Sequence, residues 1–475
     1  MDAKKTRLSE AKRKLLEMRK LGRLAPMAPA PLTARTPGTP APLSFSQEQV
    51  CRLDQTAGKL APLHNESITI YRHGPCDVRA LQKSLTEIIR RHEIWRTTFE
   101  VVQGRPVQII HPSPATFELP VADLRAVPES EREKTARNLA TRDAKAPFDL
   151  RQGPLLRARL ATLSDADHRL YLTAHQMIVD GVTVFDVFPS ELATLYESFA
   201  LGKPSPLPEL KAQYADFAVW QRSRLRNERI ENALAYWQNQ LAGDLPTLQW
   251  PNEVARPPRQ TYRGAMHSFQ LTRELTDTLK DLGQREGATL FMVLLAGLMA
   301  LLHKYTRQPD IMIGTLVPSG RKRSEFQRLM GYFLNPLPLR ARLSGDLTFS
   351  SLLRQMREVT LGALANDEVT LDMLAERLQF KPGPGRSPFF TVALSLAPDV
   401  PQLPPGWSMT YMDVESGGAR WDLYLEMSDR AEGMLGRAQY NPDLFSAASV
   451  TRTLDDLWLV LKAVAADPTQ PLNSL

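Results

Sequence analysis

Cysteine is almost missing from this chain: Cys51 and Cys76 are the only two in 475 residues. Two thiols cannot build a disulfide framework and are too few for a cysteine-based zinc site. Long apolar runs are also lacking. The most apolar stretch, Leu290 to Leu302, has 13 residues, against the roughly 20 that a bilayer-spanning helix needs. It reads as a buried core helix, with Thr289 placed as N-cap and His303-Lys304 at the end that favours cations. No apolar leader core follows the charged first residues. These absences predict a cytoplasmic protein without a membrane role.

A basic folded surface is missing too. The net charge of +7 is concentrated at one end, because Met1 to Leu24 holds nine Lys/Arg against three Asp/Glu. The remaining body is close to neutral, which argues against a nucleic-acid groove. What is present is ordinary for a soluble globular protein, with 43% hydrophobic and 23% charged residues and enough length for two or three domains.

Residues 4–22 place Leu8, Ala11, Leu15, Met18 and Leu21 at helical spacing before Gly22. The segment 1–24 is therefore expected to be a basic helix, serving as a solvated linker or a docking element. Residues 25–42 are rich in proline and read as an extended linker. Beyond them helical stretches (79–91, 130–142, 230–241, 273–287, 290–305) alternate with strand-like ones (67–72, 105–111, 155–163, 168–174, 265–271, 310–317). The pattern is α/β, in two lobes expected at 43–214 and 215–475.

The chemistry concentrates at Ala174-His175-Gln176-Met177-Ile178-Val179-Asp180-Gly181. The preceding run His168–Ala174 alternates as a strand, Asp180-Gly181 makes a turn, and Thr183–Phe199 reads as a helix. The segment nearly spells the acyltransferase signature His-His-x-x-x-Asp-Gly, with Gln176 where the second His stands. Histidine there can accept or orient a proton near neutral pH; glutamine can donate an amide hydrogen or orient an amine but cannot act as a base. Strand alternation predicts that His175 faces away from Gln176.

Further motifs follow in order: Leu43-Ser-Phe-Ser-Gln-Glu-Gln49, Arg91-His-Glu-Ile-Trp-Arg-Thr-Thr-Phe99, Tyr214-Ala-Asp-Phe-Ala-Val-Trp220, Gly331-Tyr-Phe-Leu-Asn-Pro336, Asn366-Asp367 and Arg386-Ser387-Pro388. With them, residues 43–475 resemble the condensation domains of nonribosomal peptide synthetases, relatives of chloramphenicol acetyltransferase. The resemblance implies two acetyltransferase-like lobes in a V-shaped pseudo-dimer with a central tunnel. It implies amide-bond formation between a donor acyl or peptidyl thioester and the amine of an acceptor aminoacyl thioester. Both substrates arrive on 4'-phosphopantetheine arms of partner carrier proteins, so no metal, nucleotide or other cofactor bound by the chain itself is expected.

Carried onto this sequence, the resemblance makes Gln176, His175, Asp180 and Gly181 the catalytic motif. Arg91 becomes the expected ion-pair partner of Asp180 and Arg321 a second candidate, while Arg96, Trp220 and Tyr214 are expected to pack. Ser387, Trp421 and Asp422 fall near the acceptor side by family position. The stretch 180–196 also resembles condensation domains that follow polyketide modules, which points to a polyketide-type donor. The last residues, Asp467–Leu475, look like a linker into an adenylation domain, so an upstream module and an adjoining adenylation domain are expected partners. The competing reading is a condensation fold that is catalytically silent and serves as a carrier-protein binding platform.

Overall fold

The computed structural model describes residues 35, 38–57, 62–224, 228–250, 254–344, 346–381, 383, 385–387, 389–398, 401–410 and 413–475. The helix expected at 4–22 and most of the linker expected at 25–42 lie outside these residues. Ala41 and Pro42, assigned to the linker by composition, pair as a two-residue strand with Gln108 and Val107. Proline is tolerated there because the pair lies at a sheet edge.

Local sequence rules explain the main helices. Helix Val78–Arg91 buries Leu81, Leu85, Ile88 and Ile89, one stripe at helical spacing, and its N-cap Asp77 accepts from the amides of Arg79 and Ala80. Helix Leu290–Thr306 is buried almost all round, and the Thr289 hydroxyl caps it by accepting from the Met292 amide. It packs between helices Phe349–Ala365 and Ala447–Ala466. The helix expected over 183–199 instead opens as a π turn, Thr183–Val187, before the α-helix Phe188–Ala200. Such single π turns inside helices often accompany functional sites.

Two large sheets organise the two lobes. One has five strands in the order Trp407–Thr410, Asn65–His73, Asp167–His175, Leu156–Ser164 and Val121–Asp123. The other has six, in the order Asn335–Arg342, Asp310–Val317, Val392–Leu396, Leu423–Arg430, Gly433–Tyr440 and Ala265–Thr272. A three-stranded sheet of Ala41–Pro42, Arg105–Ile110 and Thr97–Val102 flanks the first lobe. Separate apolar cores lie under the two large sheets.

The two cores do not divide cleanly at residue 214. Strand Trp407–Thr410, from the second half of the chain, forms the edge of the first lobe's sheet and pairs antiparallel with residues 69–72. Trp407 anchors it: the ring meets Tyr196 edge-on at 5.1 Å, the Arg72 guanidinium lies 5.1 Å from it, and its Nε1 donates to Glu197 at 3.3 Å. Phe326, Tyr332 and Phe333, also beyond residue 214, are buried in the first core.

Candidate active site

Strand register aims the motif. His175 pairs with Asn65 and Ala174 with Glu66 across neighbouring antiparallel strands. Asn65, Ser67, Thr173 and His175 therefore share one face, where the Ser67 and Thr173 hydroxyls bond at 2.9 Å and Asn65 donates to the carbonyls of Ala144 and Ala146. Glu66 and Ala174 share the other, and Gln176 follows one residue past the strand end, opening a 3₁₀ turn whose N-cap is His175. The Gln176 amide donates to the His64 carbonyl at 2.7 Å, which holds the turn against the neighbouring strand.

His175 is buried, and its ring turns to Asp54 and His64 rather than to Gln176. Its Nε2 lies 3.6 Å from Asp54 Oδ1, and His64 Nδ1 lies 3.3 Å from the same oxygen. Burial pushes the His64 imidazole down to about 4 against the opposing pull of Asp54. Burial would raise Asp54, but hydrogen bonds from His175 and His64 outweigh it and hold the carboxyl well below its usual range. Asp54, His64 and His175 are spaced closely enough to surround a metal ion. The Met177 amide, however, donates to His175 Nδ1 at 3.2 Å. That bond occupies the Nδ1 lone pair, so the proton of the neutral ring sits on Nε2, the atom a metal would need. The cluster fits a hydrogen-bonded support behind the motif better than a metal centre.

The Gln176 side chain points the other way, donating from Nε2 to Glu66 Oε1 at 3.4 Å. Glu66 in turn faces Arg437 of the six-stranded sheet at 3.3 Å, and Arg437 Nε donates to Glu426 at 2.7 Å. Gln176 thus stands where the two lobes meet. Burial pushes the Glu66 carboxyl up; Arg437 opposes this and Glu426 adds to it. Glu66 is a polar residue that reading the strand as starting at Ser67 passes over. Its signal in the sequence is an acidic side chain in phase with the inward-facing Ile68 and Ile70.

Asp180 is fully committed to holding the loop. Arg321 grips it with two nitrogens, Nη2 to Oδ1 at 2.7 Å and Nε to Oδ2 at 3.1 Å. The Thr183 amide and hydroxyl each donate to Oδ1 at 2.8 Å, and the Phe333 amide donates to Oδ2 at 3.2 Å. Arg321 Nη1 reaches the carbonyls of Phe326, Gln327 and Leu329. The carboxylate has no lone pair left to act as a base.

The motif correspondence makes Arg91 the partner of Asp180, and the structure corrects this. Its Nε meets Glu191 at 3.3 Å and its Nη1 donates to the Pro208 carbonyl at 2.9 Å. The cause is packing: the helix ending in Arg91 lies against helix Phe188–Ala200, which carries Glu191, while Asp180 is already saturated. His92 Nε2 also meets Glu191, at 3.0 Å, and its contacts with His92 and Arg91 hold that carboxyl down despite its burial.

The remaining site residues fall in three places. A Cβ added at Gly181 would meet the Phe185 ring and Pro398 at ordinary contact distance. Arg96 donates to the His111 carbonyl, and Trp220 packs against Phe326 at 5.4 Å with the Arg224 guanidinium over its face. Ser387 donates to the Arg420 carbonyl at 3.0 Å and lines a cleft with Thr247, Phe380 and Arg386. Trp421 and Asp422 are buried in the second lobe, where Asp422 forms a two-pronged pair with Arg256. Among the described residues no hydrogen bond or ion pair joins Ser387, Trp421 or Asp422 to Gln176.

A family model for the condensation domain matches residues 39–475. A linear gramicidin synthase from Brevibacillus parabrevis is 38% identical over 461 residues, covering 95% of this chain and 6% of that protein. Phosphinothricin tripeptide synthetase PhsC of Streptomyces viridochromogenes is 36% identical over 476 residues, covering 98% of this chain and 43% of that one. The chain thus spans less than half the length of either relative. Among solved structures, the X-domain from teicoplanin biosynthesis superposes with a TM-score of 0.81 at 26% identity, covering 94% of this chain and 99% of that one. The first condensation domain of the calcium-dependent antibiotic synthetase gives 0.80 at 21%, covering 92% and 98%. These likenesses make the two lobes the acetyltransferase-like pair of that fold, in its V-shaped arrangement. The chain belongs to the condensation-domain family of nonribosomal peptide synthetases, whose members are in general amide-forming acyltransferases.

Proposed function

We propose that this chain joins a carrier-bound acyl or peptidyl thioester to the amine of a carrier-bound aminoacyl thioester, with Gln176 in the place of the second motif histidine. The observation that carries this reading is the Asp180–Arg321 clamp, which keeps the motif loop in a fixed shape while the Gln176 amide faces the junction of the lobes. A thioester is already activated, and alignment of amine and carbonyl supplies several kcal/mol. The Gln176 amide can orient the amine or donate to the oxyanion that develops on the carbonyl oxygen.

The partners follow from the chemistry: a donor and an acceptor carrier protein, each bringing its own phosphopantetheine arm, within a larger cytoplasmic synthetase with an adjoining adenylation domain. The donor is a polyketide-type acyl chain in this reading. Residues 1–24 serve as a docking or linker element and the proline-rich residues after them as a linker, ahead of two lobes that divide near residue 214 except where Trp407–Thr410, Phe326, Tyr332 and Phe333 join the first. His175, Asp180, Gly181, Arg321, Arg91, Arg96 and Trp220 hold the site, and Ser387, Trp421 and Asp422 shape the acceptor side.

The second reading is a silent carrier-protein platform. It is favoured by one observation, that the X-domain, which shares this fold, is known in a complex with OxyB. Single-turnover condensation with loaded carriers, followed by mass spectrometry, separates the two. Product from this chain at a rate near that of Gln176→His supports catalysis; product only after Gln176→His supports the platform.

A further inference from the structure

The reaction proposed above makes a proton that residue 176, as glutamine, cannot take. The amine reaches the site with an α-amino pKa near 8, so much of it is ammonium at neutral pH. Even a neutral amine becomes a cationic nitrogen once it has attacked the carbonyl. His175 is not placed to help: it lies on the opposite strand face and its ring is engaged by the Met177 amide and Asp54. Asp180 is saturated by Arg321, Thr183 and Phe333.

Among the described residues, one ionisable side chain bonds to the Gln176 side chain. Glu66 Oε1 accepts from Gln176 Nε2 at 3.4 Å, and 31% of the Glu66 side chain is exposed. Glu66 lines a cleft with Ser67 of the first large sheet, Ala265, Met266, Arg437 and Gln439 of the second, and the loop 414–418. The simpler role for Glu66 is an ion pair that ties the lobes. Arg437, however, is held more closely by Glu426, at 2.7 Å against 3.3 Å for Glu66. Two acidic side chains share that one guanidinium.

We propose that Glu66 is the proton acceptor of this site, with Gln176 positioning the amine between them; the proposal rests on the condensation reading above. The amine nitrogen attacks the donor thioester carbonyl, forming the C–N bond. Its surplus proton passes to the Glu66 carboxylate. Collapse of the tetrahedral intermediate breaks the C–S bond, and the proton leaves Glu66 for the departing thiolate, which restores the carboxylate. The donor arm ends as a free thiol and the acceptor arm carries the amide.

The groups around Glu66 are Arg437, Glu426 and Tyr424 on the adjoining sheet, Tyr332 on the segment before strand Asn335–Arg342, and Glu415, whose loop lines the same cleft. Burial and Glu426 raise the carboxyl above the ordinary glutamate range despite Arg437. A raised carboxyl is a better proton acceptor when ionised, and it is protonated, hence inactive, at a higher pH than a solvated one.

The test uses the whole chain with loaded donor and acceptor carriers in single-turnover assays from pH 5 to 8, comparing this chain, Glu66→Gln, Glu66→Asp, Gln176→His and Gln176→His/Glu66→Gln. Glu66→Gln keeps the shape and can still accept from Gln176, so its melting temperature should match the parent. The expected result is a roughly 10²- to 10³-fold slower Glu66→Gln that loses the acidic limb of the pH profile. Glu66→Asp should recover part of the rate and Gln176→His/Glu66→Gln most of it. Equal rates and profiles for the parent and Glu66→Gln would overturn the proposal while leaving the condensation reading intact. A silent parent made active by Gln176→His would also overturn it, and silence of all five proteins would overturn both.

Discussion

Arg321 and Asp180 are 141 residues apart in sequence and meet as a buried two-pronged pair, with Nη2–Oδ1 2.7 Å and Nε–Oδ2 3.1 Å. The arginine side chain is 6% exposed and the aspartate 0%. Removing one member leaves the other charged, dry and unpaired. Asp180→Ala or Arg321→Met should therefore destabilise the protein by about 3–5 kcal/mol, measured by urea unfolding. Arg321→Lys should lose nearly as much, since an ammonium cannot supply the fork to the carboxylate and also reach the carbonyls of Phe326, Gln327 and Leu329.

Gly331 has φ +146°, and a Cβ there would lie 2.0 Å from the Tyr214 ring. The Tyr214 hydroxyl is meanwhile fixed by Ser44 and the Tyr332 carbonyl, so the ring cannot swing aside. Gly331→Ala is expected to cost about 1–3 kcal/mol in the same unfolding measurement. Tyr214→Phe, which keeps the ring and drops the hydroxyl, should cost about 1–3 kcal/mol by leaving buried groups unpaired.

His64 makes stability depend on pH. Burial holds the folded-state imidazole at about 4, whereas the unfolded chain protonates it near 6.5. The unfolded state binds the extra proton between these values, so stability is lost as pH falls from 6.5 towards 4. At about 1.4 kcal/mol per unit the loss approaches roughly 3 kcal/mol. Denaturation at pH 7 and pH 4.5 should show this loss in the parent and a smaller one in His64→Gln. A parent whose stability is flat over that range would refute the assignment.

Trp407 pins the crossing strand through Tyr196, Arg72 and Glu197. Trp407→Ala should cost about 3–5 kcal/mol. Hydrogen exchange should speed up at the amides of residues 69–72, which pair with that strand.

Much of the fold is legible in the sequence wherever one element carries its own periodicity and punctuation. The strand at Asp167–His175 and the Thr289-capped helix Leu290–Thr306 are of this kind. Strand Trp407–Thr410 is not: four residues of mixed character lie in a stretch with several prolines and glycines, and their partner strand is more than three hundred residues earlier. The motif loop is legible by its letters, but its ion pairs are not. Motif position favours Arg91 over Arg321; only packing shows that Glu191 claims the first. Asp54 and Glu66 escape notice because neither stands in a motif, and each matters only through a neighbour that folding brings to it.

The borrowed edge strand has a consequence for how the chain can be divided. A fragment ending near residue 214 would carry strand Asn65–His73 with one row of its backbone amides and carbonyls unmatched, a template for self-association. The complementary fragment would hold the missing piece, Trp407–Thr410, with no sheet of its own to enter. Two such halves, expressed together, should find one another and become soluble only as a pair, which makes this protein a natural candidate for split-fragment complementation.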